Sequence, residues 1–493
     1  MSIALTAARG VAWNMFFGVG SRVLQLVGTL VLTRFIAPDA YGAVLAASIA
    51  VVTAGTLSSF AFGQYLIANK SSAEISFQAT VLHVTLGIVA MAIVVALRNP
   101  LAGWLDTPAI AAFIPGFALA HLVERIRYVP ERLLLRELRF RAIAAINGGS
   151  EVLFTVVALA LVARHGASAI LFATLARAVV SAGLFVAIAP RAQWLRISPL
   201  RWQTARALLG YGLPVMITAI ADRVATRWDS LLMSKLFGPA VMARYNLSYS
   251  LAEMPISNVA EHIGEVLMPT YSLMAEAERR PAVVRAASLM SLVVSPLGVG
   301  LGGVAPVLVP AFFDARWAAM ASMLMILSIM TVFRPMTWPA VAYLQAVSRT
   351  RLIMVLSLAR GVVVLALVAA FGVIGGPLWA CLGACIGYVV HSIVTVVATG
   401  RATGLPIRSY LVGVARPLLA CAPMFIVITS IGTEFEAMHV PRLVTIAVQV
   451  VIGAAAFFIG AFLLAAPTTR EFMRLARDTI RRTPLSQQYS TGN

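Results

Sequence analysis

The sequence predicts an all-helical, polytopic membrane protein of about fourteen transmembrane helices. Three observations carry that prediction. Of 493 residues, 60% are apolar, with 35 glycines besides, and only 12% are charged. A water-soluble fold of this size could not keep so much apolar surface from solvent. The apolar residues also fall in continuous runs of about twenty, the length an α-helix needs to cross a bilayer. The strand alternation of a membrane barrel is absent from those runs. An ordinary soluble enzyme, a secreted domain and a disordered scaffold are thereby excluded.

Fourteen spans are expected at 11–35, 41–68, 79–97, 109–129, 142–163, 168–189, 208–237, 240–268, 285–309, 318–340, 352–373, 376–398, 411–431 and 442–466. The first continues too far beyond Arg9 for a cleavable signal segment and is expected to be retained. Turn chemistry separates several spans, as at Ala37-Pro38-Asp39, Arg98-Asn99-Pro100 and Gly375-Gly376-Pro377. The small residues of Gly298-x-Gly300-x-Gly302-Gly303 allow either close helix packing or a bend.

The net charge of +19 comes from 38 basic residues, nearly all Arg. They form no stripe interleaved with stacking aromatics, so nucleic acid is not an expected partner. They lie mostly between spans, which is a topology signal. With a cytoplasmic N-terminus, 24 fall in cytoplasmic segments, six of them between Arg125 and Arg141, and seven on the opposite side. That asymmetry places both termini in the cytoplasm. Cys381, Cys385 and Cys421 sit in apolar runs and build no disulfide framework or zinc site.

Six spans precede the basic loop 190–206, six follow it and two remain. An offset of 201 residues sets Arg22 on Arg223, Arg34 on Lys235, Pro38 on Pro239 and Gly63 on Gly264. A mid-span Arg and a span-ending basic-x-x-x-Pro thus recur in register, in halves of the same orientation. Such parallel repeats bind substrate between them. The expected organisation is 1–206 (helices 1–6), 207–410 (helices 7–12), 411–466 (helices 13–14) and a basic cytoplasmic tail, 467–493.

Charges inside spans are costly and face a cavity or a partner. Arg22 stands in the first span beside Gln25. The seventh carries Asp222, Arg223, Arg227 and Asp229, with the two arginines four apart on one face. The eighth carries Glu253, Glu261 and Glu265 at helical spacing, with His262. Elsewhere stand Glu151, Arg177, Arg334, Arg360 and Arg416. A guanidinium presents a rigid, permanently charged fork suited to phosphate. Arg22, Arg223 and Arg227 are therefore the leading substrate-binding candidates, with Arg177, Arg334 and Arg360 behind them. Asp222, Glu151 and Glu261 are the carboxylates available to couple an ion. The same charges could also form buried ion pairs that fix helix register. No catalytic constellation, metal cluster, cofactor loop or ATP-binding motif is present, so an enzyme is not expected.

The opening Gly10-x-x-Trp13 and the turn Arg34-Phe35-Ile36-Ala37-Pro38-Asp39-Ala40-Tyr41-Gly42 resemble those of Wzx-like polysaccharide (O-antigen) flippases. These belong to the multidrug/oligosaccharidyl-lipid/polysaccharide exporter superfamily. The 6+6+2 span plan and the charged seventh span share the resemblance. It implies a V-shaped pair of six-helix lobes that opens alternately to each side around a cationic cavity. It also implies passage of an undecaprenyl-pyrophosphate-linked oligosaccharide across the bacterial inner membrane, with polysaccharide polymerase and export machinery as partners. A drug/ion antiporter of the same superfamily is the alternative. A membrane-embedded glycosyltransferase or polymerase fits less well, because the outward loops are short.

The orientation is open to direct test. A single cysteine at position 196, in a background free of other cysteines, should react with an impermeant maleimide only after the membrane is breached. Labelling from the periplasmic side would reverse the topology.

Overall fold

The computed structural model describes residue 20, residues 24–68 and residues 72–482. Every regular element among the described residues is helical, and 89% of those residues are in helices. In a bilayer no water satisfies backbone groups, so an apolar run closes its hydrogen bonds within itself as a helix. In chain order the helices are α1 (Leu24–Phe35), α2 (Pro38–Leu57), α3 (Phe62–Ala68), α4 (Ala73–Ala96), α5 (Arg98–Trp104) and α6 (Ile110–Arg136). Then come α7 (Phe140–His165), α8 (Ser168–Ile188), α9 (Trp202–Phe237), α10 (Pro239–Leu273), α11 (Glu276–Phe312) and α12 (Met320–Met336). The last seven are α13 (Trp338–Ala346), α14 (Thr350–Gly375), α15 (Pro377–Thr403), α16 (Ile407–Leu419), α17 (Cys421–Ala437), α18 (Arg442–Leu464) and α19 (Ala466–Arg482).

Among the described residues, eleven helical segments are long and apolar enough to cross a membrane. The first expected span lies largely outside the described residues. The fourth and eighth are present as the long helices α6 and α10 but carry more charge than a plain lipid-facing span. Apolar side chains such as Val362 and Leu463, 70% and 77% exposed, form the lipid-facing surface. This is a multi-pass membrane protein.

Of the predicted turns, Ala37-Pro38-Asp39 and Gly375-Gly376-Pro377 fall at helix boundaries, whereas Arg98-Asn99-Pro100 forms the start of α5 and the chain turns at Leu97 instead. Pro38 opens α2 with Asp39 in its first turn, and Ser72 caps α4 by accepting the Ile75 N–H. Gly238 and Gly376 end α9 and α14 at φ of +85° and +82°, and a proline opens the helix after each. The helix that starts at Pro38 and the one that starts at Pro239 keep the 201-residue offset. Later in each half the offset becomes 210. Leu138 and Ser348 take φ of +58° and +57°, and Arg139 and Arg349 then open two 26-residue helices, α7 and α14. Their amides reach back to the carbonyls of Leu134 and Leu344 at 3.0 and 2.8 Å. A single-offset sequence comparison could not find this second match, because the spacing changes between the two.

The chain forms two compact units. One is Met1–Arg244 with Phe313–Arg316, and the other is Tyr245–Phe312 with Trp317–Asn493. In the first, Phe62, Leu66, Val129, Leu133, Phe185 and Leu208 share one buried cluster. Helix α9 belongs to this unit and docks closely: a Cβ at Gly212 would lie 1.8 Å from the Phe60 carbonyl oxygen. Gln78 clasps the start of α9, donating to the Arg201 carbonyl at 2.6 Å and accepting its N–H. In the second unit α11 packs against α12, α17 and α18 around Met290, Val304, Met424, Ile428 and Phe457. The glycine-rich stretch of α11 serves close packing there and α11 runs through it unbroken, since a Cβ at Gly298 or Gly303 would meet Val332 or Ile428.

Gly212→Ala should therefore lower the melting temperature of the purified protein, by an overpacking cost of about 1–3 kcal/mol. Gly210→Ala, with nothing within 4 Å of the added carbon, should not. Equal melting of the two variants would contradict this packing.

Candidate functional site

The second expected span is not one helix. Its first part, α2, stops at Leu57; Ser58 folds its N–H back to the Gly55 and Thr56 carbonyls, and Ala61 takes φ of +51° before α3 begins. A broken helix at membrane depth must have its freed carbonyls met from within the protein. Arg125 of α6 does this. One guanidinium nitrogen donates to the Gly55 carbonyl and, at 2.6 Å, to the Ser58 hydroxyl. The other lies 3.4 Å from the Ser58 carbonyl and from the His83 ring nitrogens. The positive charge also faces the negative end of the α2 dipole. Arg125 is only 5% exposed.

This corrects the charge count of the sequence analysis. Arg125 is no loop residue, because it lies well inside α6 and is buried there. His121, Arg125, Tyr128 and Arg132 recur at intervals of four, three and four, the spacing of one helix face. That polar stripe was visible in the sequence as His121-x-x-x-Arg125-x-x-Tyr128-x-x-x-Arg132. Its arginines were absorbed into the topology signal.

The stripe lines a cavity of about 440 Å³ inside the first unit. The Tyr128 ring stacks on His83 at 4.1 Å, and its hydroxyl accepts the Gly63 N–H and donates to Gln64. The Arg132 guanidinium lies 5.4 Å over the same ring. Glycine is required at 55 and 63, since a Cβ would come within 2.1 Å of the His121 ring and 2.4 Å of the Arg132 stem. Across the cavity α9 contributes Val215, Ala219 and Arg223, four apart on one face. The acids here are engaged: Glu131 with Arg127 at 3.9 Å, and Glu124 with Arg177 at 3.3 Å. The Nε of Arg132 and the Nε2 of His121 are buried without a hydrogen-bond partner among the described residues. The chamber is a cationic surface suited to an anion that accepts several hydrogen bonds.

The candidates from the sequence are placed unevenly. Arg223 lines this cavity. Arg227 follows one turn later, half-buried and off the lining, while Asp222 is exposed on the neighbouring face and Asp229 is buried. Arg177 sits between two carboxylates, 2.8 Å from Glu151 and 3.3 Å from Glu124, with the Phe154 ring 5.6 Å away. Arg334 and Arg360 belong to the second unit, where Arg334 pairs with Glu253 and donates to the Tyr249 hydroxyl at 3.1 Å. Arg22 and the Glu261 side chain lie outside the described residues. No cluster of three or more metal-ligating side chains occurs among the described residues.

The second unit holds a groove of about 690 Å³ with almost wholly apolar walls, including Leu297, Leu301, Leu308, Ile446, Val450 and Phe458. Such a surface suits an aliphatic chain.

Arg125→Gln removes the fork that satisfies the broken helix. Leaving the buried Ser58 carbonyl unpaired should cost about 1–3 kcal/mol, read as a lower melting temperature of the purified protein. Unchanged melting would mean that the carbonyl is satisfied in some other way.

The family described as "polysaccharide biosynthesis protein" matches residues 31–322, more than half of the chain. The succinoglycan biosynthesis transport protein ExoT of Rhizobium meliloti (strain 1021) is 25% identical over 97% of this chain and 96% of its own. The lipopolysaccharide biosynthesis protein WzxC of Escherichia coli (strain K12) is 24% identical over 71% of this chain and 72% of its own. Among solved structures, the lipid II flippase MurJ in an inward closed conformation superposes with a TM-score of 0.72. That match covers 91% of this chain and 98% of MurJ, at 13% identity, and concerns the fold. By its family match and its transporter fold, this chain is a member of the polysaccharide biosynthesis protein family.

Proposed function

We propose that this protein is a flippase that carries a lipid-linked oligosaccharide, joined through pyrophosphate to a polyprenyl chain, across the bacterial inner membrane by alternating access. The observation that carries the reading is the arginine-lined cavity of the first unit: a chamber of about 440 Å³ with two buried nitrogens that have no hydrogen-bond partner among the described residues. A pyrophosphate has the oxygens to accept from Arg132, His121 and Arg223, and guanidinium stays charged at any physiological pH. The second unit, by itself, carries an apolar groove whose walls suit an aliphatic chain. The names of ExoT and WzxC, in succinoglycan transport and lipopolysaccharide biosynthesis, support a cell-surface polysaccharide as the product's destination.

In this reading both termini are cytoplasmic, and the chain needs no catalytic group or cofactor. The sequence halves 1–206 and 207–410 supply the repeat, with 411–466 as an added helix pair and 467–493 as the basic tail. Of the other arginines, Arg22 and Arg227 remain substrate contacts in this reading; Arg177, Arg334 and Arg360 come second because ion pairs already engage the first two. Coupling to an ion falls to a carboxylate. Glu151 is the best placed, with one oxygen held by Arg177 and the other buried without a partner; Asp222 and Glu261 are its competitors. Polysaccharide polymerase and export machinery would consume the delivered unit.

Flux of a fluorescent short-chain pyrophosphate-linked saccharide into proteoliposomes tests the reading. Arg132→Gln and Arg223→Lys should each reduce it at least about tenfold, the loss of roughly one charge-assisted hydrogen bond, with melting temperature preserved. Undiminished flux in both would sink the cavity assignment. In the same assay Glu151→Gln should remove any dependence on an imposed proton gradient, and a fully gradient-driven variant would exclude Glu151.

A further inference from the structure

We propose that α19 is an interfacial clamp for anionic phospholipid: its arginine stripe, with Arg280 beside it, binds headgroup phosphates where the last span leaves the bilayer. The helix begins at Ala466, directly after α18 ends at Leu464, so it starts at the membrane–water boundary. Its residues divide sharply. At about 100° per residue, Arg470, Arg474 and Arg477 fall within roughly 60° of arc, and all three are exposed. On another face Thr469, Phe472 and Met473 line the lower apolar groove, with Phe472, Met473 and Leu475 still partly open to the surroundings. A helix with an arginine stripe and an opposing apolar face lies in the plane of the interface, and anionic lipid strengthens its hold.

The helix is held in place by its neighbours. The Thr469 hydroxyl donates to the Ala461 and Ala465 carbonyls at 3.1 and 3.0 Å, and Glu471 pairs with Arg285 of α11. On the flank away from the groove, Pro467, Thr468 and Glu471 border an open pocket of about 670 Å³. Arg280, Ser288 and Ser409 also line it. Gly404, at φ of +71°, leaves room for the Arg280 guanidinium, which a Cβ there would approach to 3.1 Å. Because the Arg285 charge is already balanced by Glu471, the surplus of the patch rests on Arg280 and the stripe. Basic pockets of this kind at the ends of membrane helices bind lipid headgroups, and each arginine near an anionic surface strengthens contact roughly fivefold. The occupant fitting both the cations and the adjoining apolar face is a lipid, since a free phosphate would use only the cations.

The test uses the full chain with Leu475→Cys carrying a bimane fluorophore and Cys381, Cys385 and Cys421 replaced by Ala. It is reconstituted in vesicles of equal parts phosphatidylglycerol and phosphatidylcholine, with bromine on the chains of one lipid or the other. Brominated phosphatidylglycerol should quench the fluorophore several-fold more than brominated phosphatidylcholine. The triple variant R470Q/R474Q/R477Q should equalise them, whereas the corresponding Lys triple should keep the preference. Equal quenching in the parent protein, or a preference surviving in the Gln triple, would overturn the proposal. So would loss of the preference on adding inorganic phosphate, which would make the site one for a free anion. A protein partner as the occupant would show as equal quenching by the two lipids.

Discussion

A single guanidinium inside the first unit satisfies a helix that breaks within an apolar span. Continuing the helix through 58–61 would have closed its own hydrogen bonds at no external cost. The chain instead ends α2 at Leu57 and frees the carbonyl of Ser58; Arg125 arrives from α6 to meet it and donates as well to the Gly55 carbonyl, which the Ser58 N–H and hydroxyl already reach. The arrangement is reciprocal. The arginine could not be buried without those acceptors, and the acceptors could not be left bare without the arginine. His83, Tyr128 and Arg132 stack or hydrogen-bond in sequence from this point, so the wall of the cavity is one connected polar structure.

The intramembrane charges sort by what already holds them. Arg177 and Arg334 are engaged by carboxylates, and Arg125 by carbonyls and a hydroxyl. Each of these has spent its directional donors on the protein, which fixes helix register. Arg132 retains a buried, unpartnered nitrogen, and Arg223 faces the same chamber. A transported anion must be gripped by groups that can let it go, and cations not locked into short internal pairs meet that condition better than those that are. The proposed substrate site therefore rests on part of the arginine set.

Turn geometry recurs along the chain at two different offsets. The starts of α2 and α10 keep one offset, and the turns before α7 and α14 keep another, down to the positive φ and the arginine that follows. The helix break at 58–61 has no counterpart in α10, which runs unbroken from Pro239 to Leu273. The two stretches thus share helix starts and turns and differ where the first builds its cavity.

The sequence by itself determined the class of fold. Apolar runs of span length in a medium without water leave the backbone only helical solutions, and proline and glycine mark their ends from local sterics. It also singled out Arg223, Arg177 and Glu151, because an ionisable group within an apolar run stands out from its neighbours, while the pairing of Arg177 with Glu151 came from the fold. Arg125 and Arg132 escaped notice for the opposite reason: they lie where a span meets a basic segment, and there composition cannot separate a buried charge from a loop charge. The break in the second span was equally hidden, since Ser58, Ser59, Phe60 and Ala61 are no more polar than many unbroken stretches. Whether that segment unwinds depends on a guanidinium some 65 residues further along the chain. Only the tertiary structure brings the two together, because a hydrogen bond between distant residues leaves no periodicity in either.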